Sequence, residues 1–164
     1  MNIIYNPYFT GNAYISQNLW DEVTVGDAAL LEQLLMRAGL PQTVVDDSEK
    51  AEKERAQAYA EAIKAQGTTI FSNSLESDSE GTAKLLLKWR DLLVMAGWST
   101  ADTINEGSNK LRVFALCDEA LKAYPSRADR WREVYQYLKD GHQILKATDS
   151  IEVRIPKALI PPMI

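Results

Sequence analysis

Residues 71–98 read FSNSLESDSEGTAKLLLKWRDLLVMAGW, and this run decides how the rest of the chain is understood. Leu85, Leu86, Trp89, Leu92, Leu93 and Ala96 recur at three- and four-residue steps. That spacing places them on one face of a helix starting near Glu80 and running to about Ala96. Asp78 or Ser79 is expected to cap its first turn by accepting from free backbone N–H groups, and Glu80 adds negative charge where the helix dipole favours it. Gly97 supplies the left-handed residue that ends the helix, after which Trp98 can fold back over the last turn. Upstream, Thr68–Phe71 is β-prone and Ser72–Ser79 reads as a polar turn. On this reading Trp89 lies on the core face, while Arg90 and Asp91 point away from it toward a contact with another domain.

Working outward, Asn2–Tyr5 reads as a strand that Asn6-Pro7 ends, because proline lacks the N–H that would continue a ladder. Asp27 is expected to cap a helix whose stripe is Leu30, Leu31, Leu34, Leu35 and Ala38, closed by Gly39 before Leu40-Pro41. Gln42–Lys50 is a polar connection, extended near Val44-Val45. Ser48 caps the next helix, to about Gln66, whose stripe is Ala51, Arg55, Ala58, Tyr59, Ala62 and Ile63. Ser99–Asn109 has loop composition. Leu111–Tyr124 reads as helix, with a strand start at Val113–Leu116 as the alternative. After Pro125, Ser126-Arg127-Ala128-Asp129 has the form of a capping box, and Trp131, Val134, Tyr135 and Leu138 give the inner face of the helix it opens. Ser150–Pro156 is strand-like, with Ile151, Val153 and Ile155 alternating with Glu152 and Arg154. Strands and helices in this order predict an α/β chain: a helix-rich single domain with a small, largely parallel sheet.

Composition narrows the function. The 164 residues carry a net charge of −5 and are 46% hydrophobic, enough for a real core and unlike a domain that grips DNA through its phosphates. A single cysteine, Cys117, excludes an intrachain disulfide framework and fits a reducing, cytoplasmic setting. No apolar run approaches the roughly 20 residues of a membrane span, so no membrane partner is expected. The chain ends Ala158-Leu159-Ile160-Pro161-Pro162-Met163-Ile164. An apolar terminus of this kind is expected of a fragment of a longer multidomain protein, with 1–164 as its N-terminal domain. The expected interdomain contacts are Trp98, Arg90, Asp91, Ile160 and Met163.

Residues that carry chemistry are sparse. The segment Tyr8–Tyr14 has one glycine and no lysine, so it lacks what a phosphate-binding loop needs. His142, the only histidine, sits at a helix end where a dipole-stabilised surface role suffices. Asp149 with Glu152-x-Arg154 is the nearest approach to a nuclease Asp…Asp/Glu-x-Lys set, and arginine is a poor substitute for the lysine. Asp78 and Glu80 with Ser77 and Ser79 are explained by a capped helix start. Arg127, Arg130 and Arg132 near Trp131 form a basic cluster that Asp129 and Glu133 offset, which reads as a solvated helix face. No catalytic residue, cofactor or metal site is expected.

One wording is specific. The Ser-rich turn with Asp78, Gly81-Thr82-Ala83, Leu86-Leu87-x-Trp89-Arg90-Asp91-x-Leu93 and Ala96-Gly97-Trp98 resemble a segment near the N-terminus of AddB-like helicase–nucleases. These are large proteins of the PD-(D/E)XK nuclease superfamily that serve DNA repair and recombination. Leu30-Leu31-Glu32 with Gly39-Leu40-Pro41, and Ile160-Pro161-Pro162, extend the resemblance across most of the chain. It implies a degenerate P-loop-like first strand in a helicase-like fold. It also implies a non-catalytic scaffold or docking role, with the nuclease centre and any DNA contact in the remaining domains of the parent protein. A stand-alone adaptor, binding another protein through an apolar groove near Trp98 or Trp131, is the alternative.

Overall fold

Ile3 and Ile4 are adjacent in a strand, so their side chains leave on opposite faces, and both are fully buried. A strand covered on both faces belongs inside a parallel sheet, which is where β1 (Asn2–Tyr5) lies. The computed structural model describes residues 2–9, 13–15, 22–41, 48–100, 108–121, 125–141 and 150–154. The chain forms two compact units, Met1–Thr43 with Glu133–Ile164, and Val44–Arg132.

The first unit holds the sheet. Its order is β2 (Ala13–Ile15), β3 (Glu22–Val25), β1, β4 (Ile151–Val153). β1 runs parallel to both β3 and β4, with Ile3 opposite Val23 on one side and Ile151 on the other. β2 is antiparallel to β3 at one edge. The expected helix-rich α/β class with a small, largely parallel sheet is therefore what forms. β1 matches its reading, and β4 falls inside the stretch read as strand; its three residues are all exposed, as suits an edge. The next described element after β1 is strand β2, whereas a helix follows a phosphate-binding loop.

β3 passes through Gly26 into α1 (Asp27–Ala38). Any side chain at 26 would start inside the Phe9 carbonyl oxygen, so only glycine fits. Gly26, and not Asp27, is the N-cap. Asp27 is drawn instead to the Tyr5 hydroxyl, which donates to it; burial, then this carboxylate, pushes the Tyr5 phenol up to about 12. The stripe of α1 is as expected: Leu30, Leu31, Leu34 and Leu35 are buried, with Ala29. Gly39, at φ 67°, closes the helix and lets Leu40 N–H reach the Leu35 carbonyl at 3.0 Å.

The second unit is helical: α2 (Glu49–Ala65), α3 (Ser72–Ser77), α4 (Ser79–Met95), α5 (Asn109–Ala120) and the first turns of α6 (Arg127–Lys139). Side-chain caps fix four of these starts. Ser48 accepts from Ala51 N–H, Asp78 from Gly81 N–H and Ser108 from Leu111 N–H. Ser126 and Asp129 form the expected reciprocal box, with Ser126 N–H donating to Asp129 at 2.8 Å and Asp129 N–H to Ser126 Oγ at 3.3 Å. Tyr59, Ile63, Leu75, Leu86, Phe114 and Cys117 make the core, with Phe71 and Trp98 packed at its margin.

Four readings are corrected between Thr68 and Leu138. Thr68–Phe71 is no strand: Thr69 N–H donates to Ser72 Oγ and Phe71 N–H to Thr69 Oγ1. These local bonds give the backbone an alternative to a ladder, and Ser72–Ser77 continues as a helix where a polar turn was expected. In α6 the buried residues are Ala128, Arg130 and Val134, whereas Tyr135 and Leu138 are exposed. In α4 the buried row is Ala83, Leu86, Arg90 and Val94, while Leu85, Trp89 and Leu92 face solvent. The 113–116 stretch is helical, as first read.

Candidate functional site

Arg90 is the centre of the second unit's polar chemistry. Its side chain is 2% exposed, and a charge so deeply buried persists only when paired and hydrogen-bonded. It is given partners from three helices. Nε donates to Asp118 on α5 at 2.6 Å, Nη1 to Asp91 at 2.8 Å, and Nη2 to Asp129 on α6. Arg132, one turn after Asp129's cap, closes the cluster with 2.8 Å contacts to Asp118 and Asp129. Ser126 Oγ lies 3.1 Å from both Asp91 and Asp129. Three carboxylates thus meet two guanidiniums, and the most exposed of the three, Asp91, sits at the rim.

The electrostatics follow from burial and pairing. Burial alone would favour a neutral Arg90, but the carboxylates, Asp129 foremost, outweigh it and hold the guanidinium above its ordinary value. Burial likewise pushes Asp129 up, and the Arg90 hydrogen bond, with help from the Ser126 amide and Arg132, brings it below the usual carboxylate range. Next to Asp118, Cys117 is a buried free thiol, pushed up to about 11 by burial and then by that carboxylate. A thiol held there is protonated and inert at neutral pH. The cluster has no group poised to move a proton: the cations are arginines, which do not deprotonate, and Ser126 is enclosed. Its chemistry is fastening.

The outer face of α4 is the second feature. Leu85, Trp89, Leu92 and Met95 are 47, 47, 60 and 56% exposed. They repeat at four-, three- and three-residue steps, so they form one stripe about 15 Å long. A single exposed leucine is ordinary, but four large apolar side chains in register are a patch. A third feature, a cleft of about 350 Å³, has Ala56 and Ala60 in its lining, alongside Lys53, Lys64, Glu61 and Glu80. Its mixed charges define no ligand of one sign.

The residues singled out from sequence fall apart in space and role. Arg90 and Asp91 do come together, but inside the cluster; Arg90 does not point outward as read. Trp98 is half-buried against the helical core. Arg130 is buried and Arg132 is ion-paired, so Arg127–Arg132 is not a freely solvated basic face. Glu152 and Arg154 hold each other at 2.8 Å on exposed β4. His142, Asp149, Ile160 and Met163 lie outside the described residues, as do Val44-Val45. Among the described residues, no group of three histidine, cysteine or acidic side chains is arranged to hold a metal, and no helix is long and apolar enough to cross a membrane. The sequence carried one signal for the cluster, the Ser126–Asp129 box, which marked an acid fixed at a helix start. No family model matches the chain, and neither does any curated protein or solved structure.

Proposed function

We propose that the chain is a non-catalytic docking domain, an N-terminal scaffold in a DNA-processing protein of the AddB-like helicase–nuclease kind, working in the cytoplasm. The observation that carries the docking role is the outward stripe Leu85–Trp89–Leu92–Met95 on α4. Leaving four large apolar side chains in water is costly, about 25 cal/mol for each Å² left uncovered, and covering them is the gain that docking supplies. The Arg90 cluster supports the same reading. It ties α4 to α5 and the start of α6, so the stripe is presented on a rigid support. The DNA-processing context rests on the resemblance of residues 71–98. The degenerate P-loop element of that resemblance gains no support from β1, which is followed by a strand. The exposed stripe would serve a stand-alone adaptor equally well, through Trp89 in place of a groove at Trp98 or Trp131.

Titration of the purified chain with ATP and with short duplex DNA tests the non-catalytic part. No saturable binding of either and no Mg²⁺-dependent cleavage are expected. Tight DNA binding that weakens steeply with salt would overturn it.

A further inference from the structure

β4 (Ile151–Val153) forms one edge of the sheet, and among the described residues no strand pairs with its outer side. Ile3 N–H donates to the Ser150 carbonyl and Arg154 N–H to the Tyr5 carbonyl, both at 2.9 Å. Backbone groups change sides at every residue of a strand. Glu152, between those two, therefore faces β1 as well, and the N–H and C=O groups of Ile151 and Val153 face outward. The side chains of Ile151 and Val153 are 39 and 51% exposed. Glu152 and Arg154 share the other face of the strand, where they hold each other at 2.8 Å. From this edge we propose that the chain forms a two-fold dimer in which β4 pairs antiparallel with β4 of a second copy, centred on Val153. Two four-stranded sheets then become one of eight strands. The contact uses no part of α4 and stands apart from the docking reading above.

Register selects the occupant. Outward groups must meet outward groups, so Ile151 and Val153 can face themselves or each other. Centring on Glu152 sets that carboxylate against its own copy, which repels. Centring on Ile151 sets Glu152 against Ser150, with no charge to meet it. Centring on Val153 puts Val153 opposite its copy in a hydrogen-bonded pair. Glu152 then lies opposite Arg154 of the second copy, twice over, at the non-hydrogen-bonded positions where facing side chains come closest. Edges that stay single carry charge that repels its like, whereas opposite charges two residues apart match under antiparallel self-pairing. The net charge of −5 opposes association chiefly at low salt, since its reach is about 8 Å at physiological ionic strength, and the edge itself carries one charge of each sign. A strand of another protein would satisfy the outward backbone groups, but a second copy brings the matching charges with it.

The test is sedimentation of the whole chain at physiological salt, over concentrations rising to millimolar. The parent should form a dimer. Glu152→Arg and Arg154→Glu should each weaken it at least roughly tenfold, because each sets like charges opposite one another at both sites. Mixed together, the two variants should associate as tightly as the parent, since the arginines of one then face the glutamates of the other. Repair of the Glu152–Arg154 pair within a chain cannot produce that rescue, because both variants lack it. A parent that stays monomeric would overturn the proposal, as would single variants that dimerise undiminished or a mixture no tighter than its components. Leu92→Asp should leave the dimer intact; a dimer dissolved by that change would overturn the proposal in favour of the α4 stripe. A monomeric parent that instead binds an uncharged strand peptide of Val and Thr would overturn it in favour of a strand from another protein.

Discussion

α1 and α4 solve the same problem in opposite ways. Each must bury one face, and α1 does so with four leucines and an alanine, leaving Met36 and Glu32 outside. α4 turns inward a row with Arg90 at its middle and leaves a tryptophan, two leucines and a methionine in water. Burying leucine needs only packing, and its stabilisation scales with area. Burying arginine demands that every donor find an acceptor, so the cost is met only because Asp91, Asp118 and Asp129 arrive from three helices. The leucine face holds a helix in place. The arginine face fixes which helices meet and in what register, and it frees the bulkier apolar residues for the outside.

The contrast should show first at Arg90. Arg90→Ala removes the buried cation and leaves Asp118 and Asp129 only Arg132 as a charged partner, and a loss of about 3–5 kcal/mol in urea unfolding is expected. A loss below 1 kcal/mol would mean that the network is not the fastening. Leu34→Ala in α1 should cost about 2–5 kcal/mol by opening a cavity, with no change in the salt dependence of stability. Salt sensitivity equal to that of the Arg90 variant would erase the distinction between the two faces.

Acid sharpens it further. Asp129 is held below its ordinary 3.8, so its contribution is complete above 3.8 and is lost as pH falls from there toward the folded-state value. Asp129→Asn should therefore destabilise at pH 7 by about 1.5–3 kcal/mol, and the two proteins should converge in stability as the pH drops below 3.8. A gap that stays constant in acid would contradict the pairing with Arg90. The smallest effect belongs outside: Trp89→Ala should stay within about 0.5 kcal/mol of the parent, as read from the thermal midpoint.

The same contrast explains what the sequence disclosed. In α1 only one row of the helix is apolar, so periodicity names the buried face without ambiguity. The caps at Ser48, Asp78 and Ser126 and the stop at Gly97 were legible too, because they depend on neighbours in the chain. In α4 two rows compete, Leu85–Trp89–Leu92–Ala96 and Ala83–Leu86–Arg90–Val94. Periodicity favours the first, which is more apolar. The second goes inside because its arginine meets acids 28 and 39 residues away, a match that no local pattern encodes. Strand β3 (Glu22–Val25) was missed for a similar reason: what makes it a strand is its pairing with β1 and β2, distant in the chain or irregular in pattern.

Native-state thiol labelling reads the orientation of α4 directly, since Cys117 is buried and is the only competing cysteine. The chain should be compared as Leu92→Cys and as Leu86→Cys under conditions where it stays folded. A thiol at 92 modified at the rate of an unstructured peptide, with the thiol at 86 modified only as fast as the protein unfolds, is the predicted result. Protection at 92, or equal rates at both positions, would contradict an arginine-in, tryptophan-out helix.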